Sequence, residues 1–413
     1  MKKTTTALAL AMSAGLATSA LARPNFPEVE PNETKGQATM VVGMAPGDTL
    51  SGNSTGTSTT VAGAASADTF LIKVAPAPLG LYRNRLVITT TGTAGHSGSI
   101  RGLNQVAAAQ APWLPGMVIG TPGVTDTTIQ TSSATSTPPR FNQWYGFGKE
   151  EEIYYRVTGT ASTTSDYLVT LEQLPIAPTP IASTFAPGDI TITTLGQGHS
   201  SDTDIHVYDA NFNPIVGSSN DDEAAAAVSG VPGATGATLQ SALKRSYAPG
   251  TYYLAIGSFN TCNNLPSPSD DDFRTGAILD FPNALATSST ATNVNVAFSI
   301  SDGVVTTPVP STRAGIFDIN WYSFTVGGVV GACCVPTTLT CVETSAGNCS
   351  ILGGTYNGDG STCATANCPT PGACCLPDGS CIQALPAACT AQNGTYQGNS
   401  VQCGSVQCPQ PAL

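Results

Sequence analysis

Gly331-Ala332-Cys333-Cys334 opens a cysteine pattern that begins again at Gly372-Ala373-Cys374-Cys375. The other cysteines of the two copies are Cys341, Cys349, Cys363 and Cys368, and then Cys381, Cys389, Cys403 and Cys408. The spacings read CC-x6-C-x7-C-x13-C-x4-C and CC-x5-C-x7-C-x13-C-x4-C, so all but one of the 13 cysteines lie in this tail. The pattern predicts two cysteine-rich repeats, at residues 331–370 and 372–413.

Each repeat has few large apolar side chains and is too short to bury a core of useful size. Three disulfides per repeat would supply the missing stability, at roughly 2–4 kcal/mol each. Adjacent cysteines such as Cys333 and Cys334 should bond two different partners, because a bridge between neighbours is strained. The sequence does not choose among the pairings. A zinc site is the alternative, and it is disfavoured because the tail has neither a CxxC pair nor a histidine.

Residues 1–22 have the features of a secretory signal peptide. Lys2 and Lys3 form a positive start, Ala7 to Ala17 form an apolar run, and Ala20-Leu21-Ala22 is a small-x-small cleavage site. We therefore expect export and a location outside the cell or at its surface, where disulfides persist. We expect no membrane span in the rest of the chain, because no later apolar run is long enough.

The composition predicts an all-β fold. Only 10% of the 413 residues are charged, while Gly (43) and Pro (30) are abundant, as in short strands joined by turns. Phe70, Ile72 and Val74 alternate onto one face of a predicted strand, and Pro175 to Pro180 is a stiff linker between two halves. The net charge of −12, without a basic cluster, argues against a nucleic-acid partner.

Several short motifs resemble the bacterial pre-peptidase C-terminal domain. They are Glu30-Pro31-Asn32-Glu33-Thr34, the strand from Asp68 to Val74, and Tyr154 to Gly159 followed by Asp166 to Leu171. Similar features recur at Asp202 to Asp209 and Pro249 to Leu254. The resemblance implies two tandem jelly-roll-like β-sandwich domains, at residues 28–175 and 181–327, of a kind attached to secreted enzymes and surface proteins. The tail is similar to cysteine-rich modules that end some secreted bacterial proteins.

Asp202, Asp204, Asp221 and Asp222 are the candidate metal ligands. Carboxylates that converge from turns at the rim of a sandwich can bind calcium, which takes oxygen ligands only. The nearby Asp209-x-Asn211-x-Asn213 begins like an EF-hand loop, but Pro214 stands where that loop needs glycine. The alternative for all four aspartates is solvated turn residues. Calcium is the one cofactor that the sequence suggests.

Asn142, Gln143, Trp144 and Tyr145 are the candidate ligand-binding residues. They lie in the densest aromatic stretch, where exposed rings could stack on a sugar while the amides donate hydrogen bonds to it. The alternative is that the rings pack in a strand core, as most aromatic side chains do.

Catalytic patterns are weak. Gly95-His96-Ser97-Gly98-Ser99 departs from the nucleophile elbow G-x-S-x-G at its last position, and the sequence after it does not begin a helix. Cys262 has no neighbouring base. We therefore expect no enzyme activity but an exported binding or adhesion protein, directed at polysaccharide or another cell-surface component. The alternatives are a structural component of the cell envelope and an ancillary or catalytic part of a secreted hydrolase.

Overall fold

The computed structural model describes most of the chain after the predicted signal peptide. The described residues are 22–54, 66–90, 95–105, 121–132, 140–159, 166–221, 230–231, 234–258, 261–265, 277–287, 291–328, 330–338, 340–366 and 368–410. Their secondary structure is almost entirely strand, which confirms the all-β prediction. The two α-helices among them are short and lie in the cysteine-rich tail.

The first sandwich consists of two sheets that share one apolar core. Its strands are β1 (Asn25–Pro27), β2 (Thr39–Met44), β3 (Thr49–Gly52), β4 (Ala67–Val74), β5 (Leu81–Thr90), β6 (Ser97–Gln105), β7 (Val124–Thr131), β8 (Phe141–Gly146), β9 (Glu152–Thr158) and β10 (Tyr167–Ile176). One sheet has the order β1-β3-β10-β5-β8, and the other contains β6-β9-β4-β2 with β7 paired to β6. Phe70, Ile72 and Val74 face the core between the sheets, as their alternation predicts.

The second sandwich begins almost directly after β10, and most of the predicted linker from Pro175 to Pro180 belongs to the strands on either side. Its strands and those of its connections are β11 (Thr179–Phe185), β12 (Gly188–Thr193), β13 (Asp204–Tyr208), β14 (Pro214–Asn220), β15 (Ala242–Tyr247), β16 (Gly250–Gly257), β17 (Thr261–Cys262), β18 (Ala277–Ile278), β19 (Leu285–Ala286), β20 (Val294–Asn295), β21 (Phe298–Ser301), β22 (Thr306–Val309), β23 (Thr312–Arg313) and β24 (Asn320–Val326). Its two sheets have the orders β11-β24-β16-β13-β14 and β15-β12-β21-β22.

One segment of the second half of the chain belongs physically to the first sandwich. We call residues 277–287 the strap. Within it, β18 pairs with β6 and Ala284 forms a bridge with Tyr145. Leu279 and Leu285 of the strap enter the core of the first sandwich. Part of the first core is therefore supplied from a distant point of the sequence.

The tail folds as two modules with matching elements. The first contains β25 (Gly331–Val335), β26 (Thr340–Thr344), α1 (Ala346–Ile351) and β27 (Thr355–Tyr356), and the second contains β28 (Gly372–Cys375), β29 (Cys381–Ala384), α2 (Pro386–Ala391) and β30 (Thr395–Tyr396). The disulfides are Cys333–Cys349, Cys334–Cys368, Cys341–Cys363, Cys374–Cys389, Cys375–Cys408 and Cys381–Cys403. The prediction that adjacent cysteines bond different partners is confirmed, and both modules use the same pairing.

No helix in the described part of the chain combines the length and the apolar character that crossing a bilayer requires. Cys262, the cysteine outside the tail, is a buried free thiol.

Candidate functional site

Three carboxylates meet at one end of the first sandwich. One carboxylate oxygen from each of Glu28, Glu30 and Asp68 lies within 4.8 Å of the others. Two of the residues come from the segment after β1 and the third comes from β4. We call this group the carboxylate cluster.

Asp68 is the buried member of the cluster. It lies on the same face of β4 as Phe70, Ile72 and Val74, so the alternation of the strand directs its carboxylate into the interior. Its side chain has 0% exposure, and neither carboxylate oxygen has a donor at full hydrogen-bonding geometry. The hydroxyl of Tyr167, itself buried at the start of β10, faces this carboxylate and offsets part of its destabilisation.

Backbone pairing places the other two carboxylates. β1 runs parallel to β3, and the backbone N–H of Glu28 continues this pairing by donating to the carbonyl of Ser51 at 2.8 Å. Four residues after Glu28, the backbone carbonyl of Asn32 accepts a hydrogen bond from the N–H of Thr69 at 2.8 Å. The segment that carries Glu28 and Glu30 is therefore fixed to both sheets, and β4 is held beside it.

Amide groups surround the cluster. Glu28 accepts hydrogen bonds from the backbone N–H of Asn53 at 2.7 Å and from the side-chain amide of Asn32 at 3.4 Å, and Glu30 accepts one from the N–H of Asn32 at 3.1 Å. The side-chain carbonyl oxygens of both asparagines are buried without a hydrogen-bond donor. The neighbourhood thus offers neutral oxygens in addition to the three carboxylates.

Gly52 leaves room for this arrangement. A Cβ atom at Gly52 would overlap the Tyr167 hydroxyl and would lie 2.7 Å from Cδ of Glu28. Any larger residue at this position would displace the cluster.

The electrostatics of the carboxylate cluster are unfavourable for three negative charges. The pKa of Asp68 is raised to about 8, chiefly by burial and also by the nearby charges of Glu28 and Glu30, against the opposing effect of Tyr167. Burial also raises the pKa of Glu30, with repulsion from Glu33 and Glu28 added. A bound cation would reverse this repulsion. An all-oxygen donor set suits a hard cation such as Ca²⁺ and is a poor match for Zn²⁺, which prefers nitrogen and sulfur.

The four aspartates that the sequence suggested as metal ligands are placed differently. Asp204 is buried, and its carboxylate accepts from the N–H of Thr261 at 2.8 Å and lies 3.2 Å from Nε2 of His206. Within the described residues, Asp202, Asp204 and Asp221 do not form a three-carboxylate group like the one above. The predicted site is therefore not supported at these three, because the strand and its neighbours already engage Asp204. Asp222 lies outside the described residues.

The predicted sugar-binding surface at Asn142, Gln143, Trp144 and Tyr145 is wrong. The first three side chains have 0% exposure and Tyr145 has 3%, so a sugar has no access to them. Gln143 and Tyr145 face the second sandwich, and the amide of Gln143 donates to the carbonyl of Phe317 at 2.8 Å. Trp144 lies in the core of the first sandwich, and the amide of Asn142 donates to Gln130 of β7. The strand-packing alternative was the right one.

The weak catalytic pattern also has a structural explanation. His96 is 1% exposed, its ring packs edge-on against Tyr167 at 5.1 Å, and burial lowers its pKa. Ser97 begins β6, whose backbone continues as a strand to Gln105. The sharp strand-to-helix turn that exposes a nucleophile is therefore not built here.

The carboxylate cluster was missed although the sequence contained a signal for it. Asp68 occupies a core-facing position of an otherwise apolar strand face, and a charged residue there needs a partner. Glu28 and Glu30 are two residues apart and therefore point to the same side of an extended segment. Their meeting with Asp68 depends on the parallel pairing of β1 with β3, which the sequence pattern did not reveal.

The search against protein-family models found no match, and the search of curated proteins found none either.

Proposed function

We propose that this chain is an exported, non-catalytic binding protein whose first sandwich holds a divalent cation of the calcium class. Glu28, Glu30 and Asp68 are the proposed carboxylate ligands, and the side-chain oxygens of Asn32 and Asn53 are available to complete the shell. The observation that carries the proposal is the fully buried carboxylate of Asp68. It lies beside two further carboxylates, and neither of its oxygens accepts a regular hydrogen bond.

Calcium fits this site better than other common cations. Ca²⁺ takes about 6–8 oxygen ligands in flexible geometry, whereas Mg²⁺ demands a near-ideal octahedron and keeps several waters. Calcium sites of extracellular modules bind with dissociation constants of about 10⁻⁴–10⁻³ M, which match a compartment rich in this ion. The six disulfides of the tail are consistent with such a location.

The cation would tie the leading segment of the chain to the first sandwich. Glu28 and Glu30 belong to that segment, while Asp68 belongs to the core strand β4. Without the cation, ionisation of Asp68 would place three negative charges together, and their repulsion favours release of the segment. Calcium binding would therefore act mainly on the stability of the protein and on its resistance to proteases.

A binding role is favoured over catalysis by the state of the histidines. His96 is buried, His206 lies between Asp204 and the carbonyl of Thr261, and His199 contacts the carbonyl of Ala297 at 2.9 Å. The contacts of His206 and His199 engage ring nitrogens that a general base would need, and His96 is buried away from solvent. The proposed partners are polysaccharide and other components of the cell surface.

The binding role is tested by co-sedimentation of the purified mature protein with cell walls and with insoluble polysaccharides, in calcium and in chelator. We expect a fraction of the protein to pellet with one of these materials. Complete recovery in every supernatant would contradict the adhesion proposal. That result would not contradict the proposed cation site, which is tested separately by calcium titration.

A structural role in the envelope is the second candidate, and it is supported by the contact between the tail and the second sandwich. Ser345 donates to the carbonyl of Thr184 at 3.2 Å, and the amide of Asn348 donates to Asp302 at 3.3 Å. Both donors are buried, so the first module is docked on the sandwich and is not loosely tethered to it. Cell fractionation distinguishes the two roles. An envelope component stays with the insoluble envelope fraction, whereas an adhesin for exogenous polysaccharide can be released into the medium.

A further inference from the structure

A buried lysine lies against two aspartates on the outer face of the first sandwich. Nζ of Lys35 lies 2.6 Å from Oδ2 of Asp280 and 3.5 Å from Oδ1 of Asp126, and it donates to the carbonyl of Gly102 at 2.8 Å. The side chains of Lys35 and Asp280 are only 6% and 14% exposed. The three residues are far apart in the sequence and come from a 3₁₀ turn, the strap and β7.

Aromatic rings shield this group from water. Nζ of Lys35 lies 4.9 Å from the ring centre of Tyr154, and Phe281, the residue after Asp280, packs on the same ring at 5.6 Å. Burial lowers the pKa of Lys35 and raises the pKa of Asp280, although their mutual attraction opposes both shifts. The environment thus favours the neutral amine and the neutral acid more than water does.

Asp126, in contrast, is stabilised in its ionised form. Nη2 of Arg101 lies 2.8 Å and Nη2 of Arg156 lies 2.9 Å from Oδ2 of Asp126. These two guanidinium groups lower the pKa of Asp126 in spite of its partial burial. Its other oxygen, Oδ1, accepts a hydrogen bond from Nε of Arg101 at 3.2 Å and lies 3.5 Å from Nζ of Lys35, so an ionised carboxylate stands beside the amine as a proton acceptor.

We propose that Lys35 and Asp280 are joined by an intramolecular isopeptide bond, with Asp126 carrying the proton. The amine and the carboxyl are already in contact, and a third carboxylate is positioned to accept a proton from the amine. Contact of this kind converts a slow condensation into a unimolecular step, since the entropy of bringing the groups together is already lost on folding.

The chemistry balances without a further reactant. Proton transfer within the ion pair gives the neutral amine of Lys35 and the neutral carboxyl of Asp280. The nitrogen lone pair attacks Cγ of Asp280 and forms the C–N bond, while Asp126 takes a proton from the nitrogen. Asp126 then delivers this proton to the departing hydroxyl of Asp280, the C–O bond breaks, and one water leaves. No atom is oxidised or reduced, and Asp126 is regenerated as a carboxylate.

The chain contains ion pairs that serve as internal controls. Lys244 and Asp189 lie 3.2 Å apart, but their side chains are 33% and 60% exposed. Lys73 and Glu150 lie 3.1 Å apart and are also exposed. At these pairs water solvates both ions, and the described residues place no guanidinium-bound carboxylate beside either, so we expect no condensation.

The bond would fix the strap covalently to the first sandwich. Lys35 follows the segment of the carboxylate cluster, and Asp280 lies between β18 and β19. Such a link would resist reductants, unlike the disulfides of the tail, and would keep the two sandwiches joined outside the cell.

Peptide mapping of the full mature chain tests the proposal. The protein is purified after export, reduced, alkylated, digested with trypsin and analysed by tandem mass spectrometry. We expect a branched peptide that joins Lys35 to Asp280, lighter by one water than its two linear parts, together with loss of cleavage after Lys35. Full recovery of linear peptides with unmodified Lys35 and Asp280 would overturn the proposal.

Variants separate the bond from the ion pair. Lys35→Arg keeps the cation but removes the nucleophilic amine, so the branched peptide should be absent. Asp126→Asn keeps the shape but removes the proton acceptor, and the branched fraction should fall at least tenfold at early times after synthesis. A branched peptide at Lys244 and Asp189 of similar yield would contradict the role of burial. The map of the unaltered protein remains decisive even where a variant fails to fold.

Discussion

The hydroxyl of Tyr145 accepts a hydrogen bond from the backbone N–H of Ile319 at 3.1 Å, from the first sandwich to the second. Around this bond the two sandwiches share an apolar cluster. Phe147 packs on Phe212 at 5.4 Å, and Phe212 stacks on Tyr253 at 4.0 Å. The aromatic stretch near residue 145 therefore joins two sandwiches and is not an open binding surface.

Tyr145→Phe should destabilise this junction by about 1–3 kcal/mol, because the buried N–H of Ile319 loses its acceptor. Urea unfolding followed by tryptophan fluorescence measures the loss. Tyr82→Phe is the matched control, since Tyr82 donates to the carbonyl of Pro78 at an exposed site. Equal losses in the two variants would show that the Tyr145 bond does not stabilise the junction.

Phe147→Ala should cost about 3–5 kcal/mol through the cavity that it leaves in the shared cluster. We expect the two sandwiches to unfold in separate steps in calorimetry once this contact is lost. Leu174→Ala, at a side chain that is 48% exposed, is the control and should leave the unfolding profile unchanged. A single sharp transition in Phe147→Ala with an unchanged midpoint would contradict the coupling.

Reduction should unfold the tail and leave the sandwiches folded. Each module buries little apolar surface, and each of its disulfides contributes roughly 2–4 kcal/mol. Limited proteolysis in dithiothreitol is expected to remove residues after about Gly331 while a fragment with both sandwiches persists. Cys262→Ala should give the same pattern, because that thiol is not in a disulfide. A tail that stays resistant after full reduction would show that packing alone stabilises it.

Part of this structure could be predicted from the sequence alone. The cysteine spacing predicted disulfides because a unit of that size has few other sources of stability, but the pairing needed the fold. The alternation of Phe70, Ile72 and Val74 predicted the core face of β4 correctly. Position within the assembly could not be predicted: the sequence pattern around Trp144 and Tyr145 is the same for an exposed platform and for a strand whose two faces are covered by the first core and by a second domain.

The candidate site was harder to predict for a similar reason. Asp202, Asp204 and Asp221 are close in the sequence or in related turns, which made them the natural choice. The carboxylates that meet are Glu28, Glu30 and Asp68, brought together by strand pairing across the core. Sequence proximity was a poor guide because the ligands of this site are set by the register of β1 on β3.

The pH dependence of the stability of the metal-free protein should reveal the titration of the Asp68 carboxylate. Its folded-state pKa is about 8, above the value near 4 of an unfolded aspartate, because of burial and of repulsion from Glu28 and Glu30 that Tyr167 only partly offsets. Between these pH values the folded chain holds a proton that the unfolded chain has released. Its stability should therefore fall as the pH rises from about 4 to about 8.

Urea midpoints in chelator between pH 5 and 8, on the order of one measurement per half unit, check this slope. Saturating calcium should flatten it, because the cation takes the place of the proton. Asp68→Asn should flatten it without calcium. A slope in Asp68→Asn equal to that of the unaltered protein would assign the effect to other groups.

Calcium titration of the chelator-treated protein by isothermal calorimetry tests the cation site most directly. We predict saturable binding with a dissociation constant of about 10⁻³ M or tighter, and a midpoint of thermal unfolding that rises with calcium. Asp68→Asn should abolish both effects, whereas Asp202→Asn should retain them. No binding heat and no thermal shift in the unaltered protein, or the same binding in Asp68→Asn, would contradict the proposed site.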